Sequence, residues 1–450
     1  MVRVVIIGAG EVGWYLAQRL RGEGHDIVVI ESDPLRASAV SSELDVQVVT
    51  GSGTSPGDLL AAGVDRAEIL AAVSDKDEVN LVGSLLGKKF GVDTSIVRIQ
   101  QAELRGEAGA SLREAVGADV VIDPDADTAD EIYQLIHTTG ADEVYPIAGG
   151  ELAVIGAVIA EHSPLANRYL AEVGRDMGPD WGFLFGAISR NGRTFVPRGD
   201  FQLKPGDHVR VVCTSSSRNE LLQLLGVAGS NARRLMVLGG GAVGSRVAAR
   251  MQAEGAEVVL IERDPERAAS LARQLKRVSV IRGEVTDTEL LLEESIGEMD
   301  AVIAATGEDA SNALACAFAI SEGASYTVVV LHRLALLSLV RRFGVDAILS
   351  PRTASANAVL RRVRGGAAGV NTFLDSDSEV DEIIIEANSK ADGMVVADLH
   401  LPRNILIGAV TRLDGQPEIV RGKTILRAGD HIVVFGTPKA IAGAKGLFGG

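Results

Sequence analysis

Three glycines at Gly8, Gly10 and Gly13 stand between an apolar run, Val4-Val5-Ile6-Ile7, and a helix-forming stretch from Trp14 to Arg21. A Gly-x-Gly-x-x-Gly turn between strand and helix suits the diphosphate of a dinucleotide. The first glycine permits a tight turn. The second lets the backbone approach a pyrophosphate, and the third lets helix and strand pack closely. The helix start then offers unpaired N–H groups to the phosphates. A second apolar run, Asp26 to Ile30, ends at Glu31. That carboxylate can accept from ribose hydroxyls and repels a 2′-phosphate, which favours NAD over NADP.

Other polar groups fall at the ends of the next strands. Val46 to Thr50 leads into Gly51-Ser52-Gly53, after which Ser55 and Pro56 read as N-cap and first helical residue. Glu68 to Val73 ends in Ser74-Asp75-Lys76-Asp77-Glu78. This acidic loop reads as a solvated helix start, with contact to ribose or a cation as the other reading. Arg98, on a strand from Thr94 to Ile99, is placed either to reach phosphates or to form an ion pair between lobes.

A dehydrogenase also needs a proton donor or acceptor beside the nicotinamide. His162 and His208 are isolated in sequence, and His431 reads as structural. No His/Cys/Asp set has metal-ligand spacing, and no nucleophile elbow or Walker lysine is present. No catalytic residue and no metal ligand is therefore assigned.

The elements that must position these groups occur twice. Leu235 to Leu238 enters Gly239-Gly240-Gly241-Ala242-Val243-Gly244, and Val258 to Ile261 ends at Glu262. Gly239 follows Gly8 by the same interval as Glu262 follows Glu31. Arg263 beside Glu262 weakens exclusion of a 2′-phosphate there. Val278 to Thr286 echoes the stretch at Gly51, with Thr286 and Glu289 spaced as a capping box. Ala301 to Asn312 echoes the acidic loop, but Val328 to Leu331 carries no arginine matching Arg98. Each lobe of alternating strands and helices precedes a smaller module. In the first, Pro164 to Asn167 reads as a short helix and Asn191-Gly192 as a hairpin turn between strands. The turn at Leu203 to His208 recurs at Leu426 to His431. The fold class is α/β: a tandem duplication of a Rossmann-type parallel-sheet N-lobe and a small α+β C-lobe. The expected domains are N-lobes at 1–125 and 232–352, a C-lobe with crossover helix at 126–228, and a second C-lobe at 353–450.

Composition fits this picture. The chain has 450 residues, a formal net charge of −16, 51 glycines and 4% aromatics. The acidic balance argues against nucleic acid as a general partner. Cys213 and Cys316 lie in apolar runs, as buried free thiols of a reducing compartment would. No window of about 18 uninterrupted apolar residues suggests a membrane span.

Taken together, Val4 to Gly13, Val48 to Ala62, Ala72 to Asn80 and Arg98, with Met236 to Gly244, Leu260 to Arg267, Val280 to Leu292 and Ala305 to Asn312, resemble the TrkA family. These are tandem RCK (KTN) subunits of Trk potassium uptake systems. The resemblance covers nearly the whole chain. It implies a non-enzymatic, nucleotide-sensing regulator that gates a membrane potassium channel-like partner, typically as a homotetramer with eight N-lobes in a ring. It further implies a cytoplasmic protein peripheral to the inner face of the membrane, binding NAD or NADH, with ATP or ADP at the same sites. Carried over by motif, the first site comprises Gly8, Ala9, Gly10, Glu11, Val12, Gly13, Glu31, Ser52, Ser74, Asp75 and Arg98. The second comprises Gly239, Gly240, Gly241, Ala242, Val243, Glu262, Glu284 and Ala305. Ala305 stands as the apolar counterpart of Ser74. The rival readings are an NAD-dependent oxidoreductase and a regulatory subunit of another cation transporter.

Overall fold

The computed structural model describes residues 2–22, 24–106, 109–178, 181–227, 232–363, 370–372 and 378–449. It divides into two units, one holding the residues up to Asp127 with the helix that begins at Pro351, the other holding the rest.

The first unit carries strands β1 (Arg3–Ile7), β2 (Asp26–Glu31), β3 (Gln47–Thr50), β4 (Ile69–Ala72), β5 (Thr94–Arg98) and β6 (Val120–Ile122). They form one parallel sheet in the order β3-β2-β1-β4-β5-β6. Val4 to Ile7 are all buried, as a central strand covered on both faces requires. The helices are α1 (Glu11–Gly22), α2 (Pro34–Leu44), α3 (Pro56–Ala61), α4 (Asp77–Lys89), α5 (Ala102–Arg105) and α6 (Ala110–Ala115). α1 starts at Glu11, three residues before the apolar pattern becomes legible. Ser55 caps α3 by accepting from the Asp58 N–H, with Pro56 at the first helical position. The strand order reverses between β1 and β4, so the crevice at their carboxyl ends is the expected ligand position.

α7 (Pro124–Ile136) leads to the first C-lobe: β7 (Glu143–Ile147), β8 (Leu152–Val158), α8 (Leu170–Asp176), β9 (Phe183–Arg190), β10 (Arg193–Phe195), β11 (His208–Thr214) and α9 (Arg218–Leu225). The sheet order is β10-β9-β11-β8-β7, antiparallel throughout. The helix expected at Pro164 does not form. The Ser163 hydroxyl caps a turn by accepting from the Leu165 N–H, and Asn167 at φ 63° redirects the chain. Asn191 and Gly192 both have positive φ, which matches the right-handed twist of their hairpin.

The second N-lobe repeats the first: β12 (Arg234–Leu238), α10 (Ala242–Ala253), β13 (Glu257–Glu262), α11 (Pro265–Gln274), β14 (Val278–Arg282), α12 (Thr288–Glu293), β15 (Ala301–Ala304), α13 (Asp309–Glu322), β16 (Thr327–Val330), α14 (Leu337–Arg341) and β17 (Ala347–Leu349). Its sheet order, β14-β13-β12-β15-β16-β17, is the same. The cap of α12 is Asp287, which accepts from the Leu290 N–H, in place of the Thr286–Glu289 box. A carboxylate one residue nearer the helix is the stronger acceptor. α15 (Pro351–Val363) packs on α1 in the first unit. The second C-lobe has β18 (Val370–Thr372), β19 (Glu379–Ile384), β20 (Ile405–Thr411), β21 (Pro417–Ile419), β22 (His431–Gly436) and α16 (Pro438–Phe448), in the sheet order β18-β19-β22-β20-β21.

The two C-lobe sheets share a core of Ile147, Leu152, Val154, Ala187 and Val212 with Val380, Ala409, Val433 and Phe435. Two glycines make this approach possible. A Cβ on Gly186 would stand 2.3 Å from the Phe435 ring, and one on Gly408 would stand 2.7 Å from Val212. Arg198 donates to the Ile405 carbonyl at 2.8 Å and Arg421 to the Trp181 carbonyl at 2.5 Å, so each lobe clasps the other. No helix among the described residues is long and apolar enough to cross a membrane. Gly186→Val is expected to overpack this core by about 1–3 kcal/mol. A lowered melting temperature by calorimetry checks this.

Candidate functional site

The three glycines of the first turn do three different things. Gly8 has φ +97°, and a Cβ there would lie 2.8 Å from Ser74 Cα. A Cβ on Gly13 would lie 1.9 Å from the Gly8 carbonyl oxygen, so only glycine lets α1 sit on β1. At Gly10 a Cβ would meet nothing within 4 Å. That open cradle, at the N-terminus of α1, is the space a diphosphate needs. Gly239 (φ +105°) and Gly244 (2.0 Å from the Gly239 oxygen) repeat the arrangement.

Both acids at the ends of β2 and β13 are buried braces. Glu31 is 5% exposed; its oxygens accept from Ala9 N–H at 2.6 Å and Asp33 N–H at 2.9 Å. Glu262 accepts from Gly240 N–H and Asp264 N–H, each at 2.9 Å. A carboxylate has about four lone-pair sites; the Ser32 hydroxyl takes a third on Glu31 at 3.4 Å, so after the bonds from described residues about one stays available to ribose hydroxyls on Glu31 and about two on Glu262.

A second device was not visible in the sequence. Asn80 is fully buried. Its oxygen accepts from Ser74 N–H and Ser74 Oγ, and its Nδ2 donates to the carbonyls of Ser74 and Arg98. Asn312 makes the same four bonds with Thr306 and with the Val330 carbonyl. The counterpart of Ser74 is therefore Thr306, and Ala305 corresponds to Val73. Counting a constant interval had placed Ala305 opposite Ser74. The strand registers show why this fails. Val49 pairs with Ile30 while Ile281 pairs with Ile261, so the second copy carries one extra residue before its third strand. Polar character at this position is thus kept in both copies, although Ala305 still lines the second cleft.

The acidic loop is also not a simple solvated helix start. Asp77 is buried and accepts from the N–H groups of Gln100 and Gln101, fixing the chain after β5. Asp309 does the same for His332 and Arg333, whose side chains also reach it. Burial pushes the Asp309 carboxyl up, but hydrogen bonds from the His332 and Arg333 backbone outweigh that and hold it below 3.8. Asp75 remains exposed.

The copies differ in the charged groups around the turn. Arg98 is half-buried, its Nε finds no hydrogen-bond partner among the described residues, and Asp125, Asp77 and Asp75 are its charged neighbours. Burial lowers its pKa and those three carboxylates oppose the shift. Val330 takes its place in the second copy, as its shared bond with the buried asparagine shows. Ser52 belongs to the loop that closes on Glu31. Its N–H donates to Asp58 at 2.8 Å and its hydroxyl pairs with Thr54. The second site is a cavity of about 120 Å³ whose wall includes Gly239, Gly241, Glu262, Glu284, Ala305 and Thr306. Arg263 and Glu308 meet at 2.8 Å over it. Glu11, on the first turn, is held by both Nε and Nη2 of Arg352 from α15.

Away from these turns, tertiary structure brings Asp142, Glu143 and His208 within 4.8 Å, a grouping that spacing in the chain did not suggest. His208 is therefore not isolated; it bonds Asp142 at 2.7 Å. Both Glu143 oxygens are engaged by Arg210, which leaves the trio a charge network in place of a cation cage. His431 pairs with Glu382 at 3.0 Å. Cys213 and Cys316 are free and buried, and burial pushes each thiol up to about 12, which makes them inert.

Family models place this architecture. The TrkA-N domain matches residues 4–124 and 235–351, and the TrkA-C domain matches 154–226 and 380–449. The chain belongs to the TrkA family. It is 34% identical to a Trk system potassium uptake protein TrkA homolog of Archaeoglobus fulgidus, covering 96% of this chain and 97% of the relative. It is 31% identical to the Trk system potassium uptake protein TrkA of Azorhizobium caulinodans, over 99% and 98%. Among solved structures, the GsuK RCK domain superposes with a TM-score of 0.61 at 19% identity, covering 99% of this chain and 95% of that one. The GsuK channel bound to NAD gives 0.61 at 18%, over 99% and 79%. The RCK fold is thus shared along the whole chain.

Asp309 yields a pH test. Its folded pKa is depressed, so the stability it adds is present above the ordinary carboxylate value of 3.8 and lost as pH falls through the lower one. Asp309→Asn should cost about 1–3 kcal/mol at neutral pH and flatten the acid limb of a melting-temperature profile below pH 4.

Proposed function

We propose that this protein is a nucleotide-sensing regulatory subunit of a Trk-type potassium uptake system. The observation that carries the proposal is the doubled turn. Two open cradles stand at helix N-termini, each braced by a buried acid and a four-bonded asparagine. The family supports the potassium partner, because relatives matching nearly the whole chain are named as potassium uptake proteins.

The ligand chemistry follows from the residues. The N–H groups at the starts of α1 and α10 would face a diphosphate bound in the turn. The spare lone pairs of Glu31 and Glu262 suit a ribose with free hydroxyls, so NAD or NADH fits. ATP or ADP would place its phosphates in the same cradle. GsuK, which shares the fold, has been solved bound to NAD and bound to ADP. Arg98 would add a cation to the first cradle where the second copy has Val330, and Arg263 and Arg267 line the second cleft instead; the stricter phosphate binding is expected in the first.

The described residues lining the second cleft include no His, Cys, Tyr or Lys; its titratable groups are Glu262, Glu284 and Glu308 with two arginines, and Glu262 is held by the turn and Glu308 by Arg263. Binding in place of turnover is the reading this supports. A ligand can shift the lobes only through different affinity for two arrangements. The proposed assembly is a homotetramer, held at the inner face of the membrane through its transporter partner.

Titration calorimetry with NAD, NADH, ATP and ADP tests the reading. Gly10→Val fills the first cradle and should weaken its ligand at least about tenfold; Gly241→Val should have the smaller effect. Equal losses would refute the ranking. Steady oxidation of NADH with a small substrate, followed by absorbance, would replace the sensor with an oxidoreductase. Failure to co-purify with a potassium transporter would redirect the partner to another cation carrier.

A further inference from the structure

Glu11 is the first residue of α1, inside the glycine-rich turn. Arg352 lies in the first turn of α15, a helix from the second half of the chain. The two form a bidentate ion pair within the first unit. The Arg352 side chain is 16% exposed and that of Glu11 is 50% exposed. Two features make this pair unusual. A cation in the first turn of a helix opposes the macrodipole, so Arg352 stands at a place that needs an anion. The anion it has, Glu11, occupies the N-terminus of α1, where the diphosphate of a bound nucleotide also belongs. Burial lowers the Arg352 guanidinium to about 10, which leaves it charged at neutral pH.

We propose that Arg352 is a phosphate-binding residue of the first nucleotide site, supplied by the second half of the chain, and that Glu11 stands in for the phosphate until a nucleotide displaces it. The buried partner keeps its place and the half-exposed one swings into solvent. The helix starts of α1 and α15 then share one anion. The second turn has no such pair in its sequence. Ala242 stands at the position of Glu11, and Asp125 follows Pro124 where Arg352 follows Pro351. Phosphate in the first turn therefore reports on the position of α15, and phosphate in the second turn has no matching contact.

The inference rests on the nucleotide-binding reading above, and the test separates the two. ADP and adenosine are titrated by calorimetry into the full chain carrying Gly241→Val, then with Arg352→Gln, Arg352→Lys or Glu11→Gln added. Arg352→Gln should weaken ADP about tenfold or more, leave adenosine within twofold, and be partly rescued by Arg352→Lys. Glu11→Gln frees the guanidinium and should tighten ADP severalfold. The opposite signs are the signature, because a merely structural ion pair would lose stability from either side and change ADP affinity from neither. ADP affinity unchanged in Glu11→Gln, or weakened in both variants alike, overturns the proposal while the site stands. If ADP binds neither this chain nor wild type, the site reading falls and the proposal with it. Glu11→Gln keeps the side chain's shape at a half-exposed position, so the test does not depend on Arg352→Gln folding.

Discussion

A carboxamide sealed from water must find all its hydrogen bonds inside the protein, and Asn80 finds four. That requirement fixes more than its own loop. Ser74 is held from three sides, and Ser74 is the wall against which Gly8 is packed. The fourth bond, to the Arg98 carbonyl, sets the end of β5. The glycine-rich turn, the loop after β4 and the end of β5 are thus one rigid piece. Asn312 builds the same piece around Thr306. Leaving such a group half-satisfied costs more than the bond itself is worth, which makes the geometry hard to relax.

Much of this was legible because it is local. Strand, glycine spacing and distal acid lie within one run of sequence, and both copies announce themselves. Ser55 and Pro56 mark a helix start by chemistry that acts over three residues. What escaped depends on partners far along the chain. Nothing near Asp77 says that it will be buried under Gln100 and Gln101, and nothing near His208 says that Asp142 awaits it. The pairing of Ser74 with Ala305 failed because an insertion is invisible to counting until strand register reveals it. The expected helix at Pro164 gave way to a serine-capped turn, a competition that propensity alone does not settle.

Duplication has left the frame intact and let the decoration drift. The braces, the buried amides and the inward acids at Asp77 and Asp309 are the same in both halves. The groups around them are not: Arg98 against Val330, Glu11 against Ala242, and an Arg263–Glu308 pair over the second cleft only where arginine follows the brace. One chain therefore presents two similarly shaped turns with different charge around them. Charge, being long-ranged in a partly buried cleft, changes ligand preference without disturbing the packing that makes the cleft.

The close approach at Gly186 and Gly408 has a further consequence. Two C-lobes that meet through so intimate an apolar face would, as separate chains, pair according to their concentration. Here both faces belong to one polypeptide, so each meets its complement at a fixed effective concentration set by the intervening chain. Dilution in the cell cannot part them, and no lobe can pair with a copy of itself while its natural complement is tethered alongside. The unequal halves are thereby delivered in strict one-to-one proportion, whatever the level of expression.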